Sequence, residues 1–159
     1  MEALSADEVP KGKNWQYEPK WDGFRCLVFR DGRKVELQSK SGQSLTRYFP
    51  ELVSAVTALK AKRFVLDSEI VVPRGQAFSF DDLLQRIHPA ESRVKRLAAE
   101  TPALLIVFDL LAGDDGKSFT KLALVDRREL LEEFVRKYLR GHKTIRLSPV
   151  TAKISDAQK

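Results

Sequence analysis

The sequence predicts an α+β fold in which antiparallel sheets carry packed helices, and three observations lead to it. Asp31-Gly32 stands between two strand-like runs, Cys26-Leu27-Val28-Phe29 and Val35-Glu36-Leu37, which is a hairpin signature. Residues 64–72 alternate as a strand, with Phe64, Leu66, Ile70 and Val72 on one face and Val65, Asp67, Glu69 and Val71 on the other. Residues 50–59 and 124–139 instead repeat apolar side chains at helical spacing. Hairpins and helices in irregular succession argue against the regular alternation of a parallel α/β sheet.

Each element has its own local reason. Residues 1–13, ending in Pro10-Lys11-Gly12-Lys13, lack periodicity and read as a lead-in. Structure is expected from Trp15, strand-like over 15–40 and folded back at the hairpin. Pro50 suits a first helical position, and Leu52, Val53, Val56 and Leu59 follow on one face. Ser79 with Asp82 three positions on is a capping pattern; it opens a short helix through Leu83, Leu84 and Ile87 that His88-Pro89 closes. A helix over 91–99, a mostly buried strand over 103–111 and a helix over 124–139 come next. The last of these turns Leu131, Phe134, Val135 and Tyr138 inward. A final strand is expected at 144–147, so that 14–150 forms the folded domain and 151–159 a polar tail.

Composition narrows the class. At 159 residues and 43% hydrophobic, the chain can bury a core without disulfides or metal staples. Its longest apolar run, residues 103–108, falls far short of the roughly 18 residues that span a bilayer, so a soluble, non-membrane protein is expected. The single cysteine, Cys26, cannot form an internal disulfide, which suits a reducing cytoplasm. A net charge of +6 and a pI near 9.5 favour polyanionic partners. His88 and His142 have no Cys, Asp or Glu at ligand spacing, which leaves a metallohydrolase site without support, and no Gly-x-Ser-x-Gly elbow occurs. Gly113-Asp114-Asp115-Gly116-Lys117-Ser118 imitates a phosphate-binding loop, but Leu111 occupies the required first glycine and two aspartates would repel phosphate. That segment reads as a solvated turn.

Chemistry concentrates in Lys20-Trp21-Asp22-Gly23-Phe24-Arg25, which fits Lys-x-Asp-Gly-x-Arg. Four fixed positions arise by chance in a chain this long on the order of once in a thousand. A lysine attacks phosphorus only as the free amine, so burial, neighbouring cations or a metal must disfavour its ammonium form. On a strand, Glu18 and Asp22 would share the face of Lys20 and favour the ammonium, with Arg25 and Lys40 opposing them.

Tyr17-Glu18-Pro19-Lys20-Trp21-Asp22-Gly23-Phe24-Arg25 resembles the nucleophile motif of the covalent nucleotidyltransferases, and most closely that of the short bacterial ATP-dependent DNA ligases of repair and end joining. The resemblance runs over about residues 15–150. It implies a nucleotidyltransferase (ATP-grasp-like) adenylation domain, of which these residues are the N-terminal part, without the oligonucleotide-binding domain (OB-fold) that normally follows. By the same resemblance Lys20 is the catalytic nucleophile that takes AMP from ATP, with Mg2+ required. Glu18 would contact adenine and Arg25 the nucleotide. Ser39-Lys40-Ser41-Gly42 resembles a Ser-Arg-Asn-Gly element, with Lys40 in the arginine position. Leu66-Asp67-Ser68-Glu69-Ile70-Val71 is similar to the Asp-Gly-Glu strand whose glutamate, here Glu69, contacts the ribose; Ser68 stands where glycine is usual. Val107-Phe108-Asp109-Leu110-Leu111 resembles the segment whose phenylalanine, here Phe108, stacks on the purine, although taken alone Phe108 reads as core.

After residue 111 neither the family's Glu-Gly-(apolar)-(apolar)-x-Lys motif nor its Lys-x-Lys element occurs. Both are expected beyond Pro149, so adenylation by these residues alone should be slow. The substrates implied are ATP and nicked or broken double-stranded DNA, handled by a monomer in a bacterial cytoplasm at the nucleoid, alongside other end-joining proteins. An RNA ligase or an mRNA-capping guanylyltransferase shares the lysine motif and stays open, as does an inactive nucleotide- or DNA-binding remnant.

Overall fold

The structure, a computed structural model, describes residues 7–12 and 14–157. The outer parts of the expected lead-in and tail, residues 1–6, 13, 158 and 159, lie outside the described residues. Two compact units emerge, one joining the described residues up to Lys20 with those from Ser148 onward and the other comprising Trp21–Leu147. In the first, Tyr17 and Thr151 exchange backbone hydrogen bonds of 2.8 and 3.0 Å, and the Tyr17 hydroxyl donates to the Pro10 carbonyl at 2.7 Å. A short helix, Ile154–Ala157, follows in the same unit.

The second unit is built on a five-stranded sheet. Its strands are β1 (Phe24–Asp31), β2 (Lys34–Ser39), β3 (Arg63–Val71), β6 (Leu104–Ala112) and β7 (Ile145–Leu147), in the order β2-β1-β3-β6-β7. The strands β4 (Pro73–Arg74) and β5 (Ala77–Phe78) form a separate small hairpin. The helices of this unit are α1 (Pro50–Ala58), α2 (Phe80–Leu84), α3 (Glu91–Glu100) and α4 (Leu124–Tyr138). All pairings in the large sheet are antiparallel except β6 with β7, which α4 links as a crossover. The α+β expectation stands. Among the described residues no helix is long and apolar enough to cross a membrane.

The hairpin forms one residue later than Asp31-Gly32 suggests. Asp31 pairs with Lys34, so the two-residue turn is Gly32-Arg33, with Gly32 at φ +59°, a left-handed conformation that glycine adopts without a Cβ penalty. The strand-like reading of 15–23 gives way. Apart from the Tyr17–Thr151 bridge these residues are irregular, and β1 begins only at Phe24. Pro19, which has no N–H to give a ladder, and Gly23 account for this locally. The inference that Glu18, Lys20 and Asp22 share one strand face therefore falls.

One face of the sheet holds the core. Cys26, Val28, Leu37, Phe64, Leu66, Ile70, Leu105 and Val107 are buried there against Leu52 and Val56 of α1 and Leu131 and Phe134 of α4. The Phe64 and Phe134 rings meet at 5.1 Å in an edge arrangement. Burial pushes the Cys26 thiol up to about 12, which leaves it a core residue without thiolate chemistry. Ser79 caps α2 as expected, its side chain accepting from the Asp82 N–H, but the helix stops at Leu84, and Leu84 and Ile87 are exposed. The Gly113–Ser118 segment is an exposed turn apart from buried Gly113, closed by the Gly116 N–H on the Gly113 carbonyl and tied to α4 through Asp114, which accepts from Lys137 and Tyr138.

Candidate active site

The face of the sheet opposite the core carries the candidate residues. Antiparallel register sets Arg25 of β1 opposite Glu69 of β3, and Glu69 opposite Ile106 of β6; the next row is Leu27, Asp67 and Asp109. At that point β6 bulges: Val107 pairs with Ser68 and Asp109 with Asp67, which leaves Phe108 as the extra residue. A bulge re-aims a side chain. Phe108 is accordingly half-buried while its neighbours Val107 and Asp109 are buried, and the reading of Phe108 as simple core is overturned.

Arg25 sits with its guanidinium carbon 5.8 Å from the Phe108 ring centroid. It is held there by a fork of two hydrogen bonds to Asp67, Nε to Oδ1 at 3.0 Å and Nη2 to Oδ2 at 2.6 Å. The Asp67 side chain is only 4% exposed, so this is a desolvated, bidentate pair whose planar geometry lysine could not reproduce. Sequence reasoning gave Asp67 no role. Alternation puts Asp67 and Glu69 on one face, but which of the two takes Arg25 depends on the direction in which the arginine leans across the strands.

Glu69 is half-buried, and its carboxyl is raised to about 7, chiefly by burial and further by Asp67 and Asp22, against the pull of Arg25 and a hydrogen bond from the Gly23 N–H. The motif glycine is required by close approach. A Cβ on Gly23 would lie 2.2 Å from the Ile70 carbonyl oxygen and 2.9 Å from Glu69 Cγ. Ser68, in a position where the family resemblance leads one to expect glycine, is fully buried, and its hydroxyl donates to the Cys26 carbonyl at 2.7 Å, which satisfies it. Lys40 is exposed in the turn that follows β2, which the Gly42 N–H closes on the Ser39 carbonyl at 2.9 Å.

Thus Arg25, Glu69 and Phe108 come together on one face, while Lys40 lies in the turn after β2. Glu18 and Lys20 belong to the first unit, where Glu18 accepts from the Gln16 side chain at 2.8 Å and Lys20 is exposed. A second pair absent from the sequence reading, Asp109 with Arg127, ties β6 to α4 at 2.9 Å. Among the described residues there is no group of three or more His, Cys, Asp or Glu that could hold a metal ion.

Residues 4–159 match the family described as ATP dependent DNA ligase domain. The chain belongs to that ligase family. DNA ligase C2 of Mycolicibacterium smegmatis is 44% identical over 160 residues, covering 100% of this chain and 43% of the relative. DNA ligase C of Mycobacterium tuberculosis is 52% identical over 132 residues, 79% of this chain and 36% of the relative. Among solved structures, the ligase domain of M. tuberculosis LigD superposes with a TM-score of 0.65 at 28% identity, covering 86% of this chain and 40% of that one. A mycobacterial DNA ligase D complexed with ATP and MES gives a TM-score of 0.61 at 27% identity over the same shares. The chain spans about two fifths of the length of these ligases.

The position of Glu69 on the ligase sheet has a measurable consequence. Because its folded-state carboxyl is raised above the ordinary 4.5, the folded chain holds that proton more tightly than the unfolded chain does. The associated stability is fully present below about 4.5 and is lost as pH rises through about 7. Thermal melts from pH 4 to pH 8 should therefore show Glu69→Gln gaining on the wild type across that window. A pH-independent offset between the two would contradict the assignment.

Proposed function

We propose that this chain carries the lysine-adenylating, nucleotide-binding part of a bacterial ATP-dependent DNA ligase. The observation that carries the reading is the β6 bulge, which turns Phe108 out beside the Asp67-held Arg25 and places both on one face with Glu69. In this reading the Phe108 ring stacks on the purine, Glu69 accepts from a ribose hydroxyl, Arg25 and Lys40 contact the nucleotide, and Glu18 contacts adenine. The Lys20 amine attacks the α-phosphorus of ATP, a nitrogen–phosphorus bond forms, and pyrophosphate leaves with the electrons of the broken α–β bridge. AMP then passes from Lys20 to a DNA 5′-phosphate, and a 3′-hydroxyl displaces AMP to seal the strand.

Magnesium is the family's metal, yet the described residues form no cage for it. Asp67 is committed to Arg25, and Glu69 faces Arg25 in register. No step of this reading runs through a metal ion held by these residues. The RNA-ligase and capping readings share the lysine motif, whereas the relatives named above are DNA ligases; LigD of Mycobacterium bovis, 34% identical over 122 residues, is named as a multifunctional non-homologous end joining protein, which favours broken DNA ends as the substrate.

Covalent trapping tests the reading: after incubation with ATP and the C-terminal part of a relative's ligase domain supplied in trans, denatured protein should carry AMP on Lys20, and Lys20→Ala should carry none. DNA contact is tested separately. With a net charge of +6, binding to nicked duplex should be weak, indifferent to sequence and driven by counterion release. A footprint of about six phosphates loses on the order of a thousandfold in affinity between 50 and 200 mM salt. Fluorescence anisotropy that shows salt-independent or strongly sequence-selective binding would overturn the DNA assignment.

A further inference from the structure

The lysine motif has two positions that its chemistry leaves open, Trp21 and Phe24, and in the structure each meets an aromatic ring from the excursion that follows β3. Trp21 packs on the Val71, Leu104 and Ile106 cluster, on the candidate-site face, and the Phe78 ring meets it edge-on at 5.7 Å and 75°. Phe24 packs against the core cluster on the other face, and the Phe80 ring meets it edge-on at 5.8 Å and 87°. Phe78 and Phe80 flank Ser79, whose backbone N–H donates to the Val72 carbonyl at 2.9 Å and whose hydroxyl caps α2. Arg74 and Asp82 close the same excursion with a 2.6 Å ion pair. The two rings are thus the prongs of a fork anchored at Ser79 that straddles residues 21–24, where Gly23 is already pressed against β3. Both rings remain more than a third exposed, so hydrophobic burial alone does not account for them.

We propose that Phe78 and Phe80 are positioning residues for Lys20: they grip the motif segment through Trp21 and Phe24, and so fix the backbone to which the nucleophile is attached. This rests on the ligase reading of Lys20. An edge-to-face pair depends on ring geometry, so an aliphatic replacement of equal apolarity loses it while another aromatic keeps it.

Amide hydrogen exchange on the chain itself, for wild type, Phe78→Leu and Phe78→Tyr, reads the grip without any chemistry at Lys20. Phe78→Leu should speed exchange at residues 21–24 by about three- to tenfold, the range an edge-on pair is worth, with the rest of the sheet unchanged and Phe78→Tyr restoring protection. The rate of AMP transfer to Lys20, measured with the C-terminal part of the M. smegmatis ligase supplied in trans, should fall by at least about tenfold at saturating ATP. Half-saturating ATP should stay the same, and Phe78→Tyr should recover the rate. Unchanged exchange at 21–24, exchange rising throughout the sheet, or no rescue by tyrosine overturns the proposal. If exchange behaves as stated but the supplemented wild type forms no adduct, the ligase reading fails while the aromatic grip is upheld.

Discussion

Mass spectrometry of the chain after incubation with ATP and magnesium should show at most a trace of AMP on Lys20, and Lys20→Ala should show none. The reason lies in how phosphoryl transfer is catalysed. Little of the barrier is removed by covalent assistance; most is removed by holding the phosphates in line and neutralising the charge that builds on the leaving pyrophosphate. On the sheet face described above, Phe108, Glu69 and Arg25 are the groups that the proposed reading assigns to the purine, the ribose and the nucleotide. Among the described residues no cluster of carboxylates could hold a metal, and no Glu-Gly-x-x-x-Lys motif occurs in the sequence. Removal of a single charge-stabilising donor commonly costs about a hundred- to a thousandfold in rate, and here several are wanting. Supplying the remaining part of a ligase domain, fused or in trans, should raise adduct formation by orders of magnitude, and Lys20→Ala should abolish all that is gained. A stoichiometric adduct on the 159 residues alone would show that the groups present suffice.

The largest effect on stability is expected at Arg86. Its side chain is fully buried, it donates to Glu51 through Nη1 at 2.7 Å and Nη2 at 2.9 Å, and it donates further to the Tyr48 carbonyl at 2.9 Å. The guanidinium also lies 4.9 Å from the Phe49 ring centroid. Glu51 in turn accepts from the Ala103 N–H at 3.0 Å, so one ion pair joins the segment after α2, the start of α1 and the entry to β6. Arg86→Ala leaves a largely buried carboxylate without its cation, and breaking such a pair from one side costs about 3–5 kcal/mol. The double replacement of Arg86→Met with Glu51→Leu removes both charges together and should cost clearly less than Arg86→Ala. Urea denaturation measures both. A loss below about 1 kcal/mol for Arg86→Ala would mean that the pair is not what holds these elements together.

Much of this molecule is written locally. The β1–β2 hairpin, the alternation of β3, the Ser79 cap of α2, the apolar stripe of α4 and the turn at Gly113–Ser118 depend on side chains two to four positions apart, and the sequence alone shows them to within a residue or two. The Lys20 motif is legible for the same reason, being four residue types at fixed spacing. Alternation over 15–23 suggests a strand that does not form, because alternation carries no information on whether a partner strand lies beside it.

What only the tertiary structure decided are relations between residues far apart in the chain. Phe108 stands out from a buried strand because β6 has one residue to spare between its pairings with Asp67 and Ser68 of β3, and pairing register is a property of two strands together. Arg25 binds Asp67 although Glu69 is its direct partner in register, a choice made by side-chain packing across the sheet. Arg86 shows no signal in sequence at all, since its partners Glu51 and Tyr48 lie more than thirty positions away and its burial follows from α1, α2 and β6 closing around it. Local spacing determines which elements form and which residue types the site has available; desolvation and cross-strand pairing, which exist only once the sheet is assembled, determine which of those residues meet.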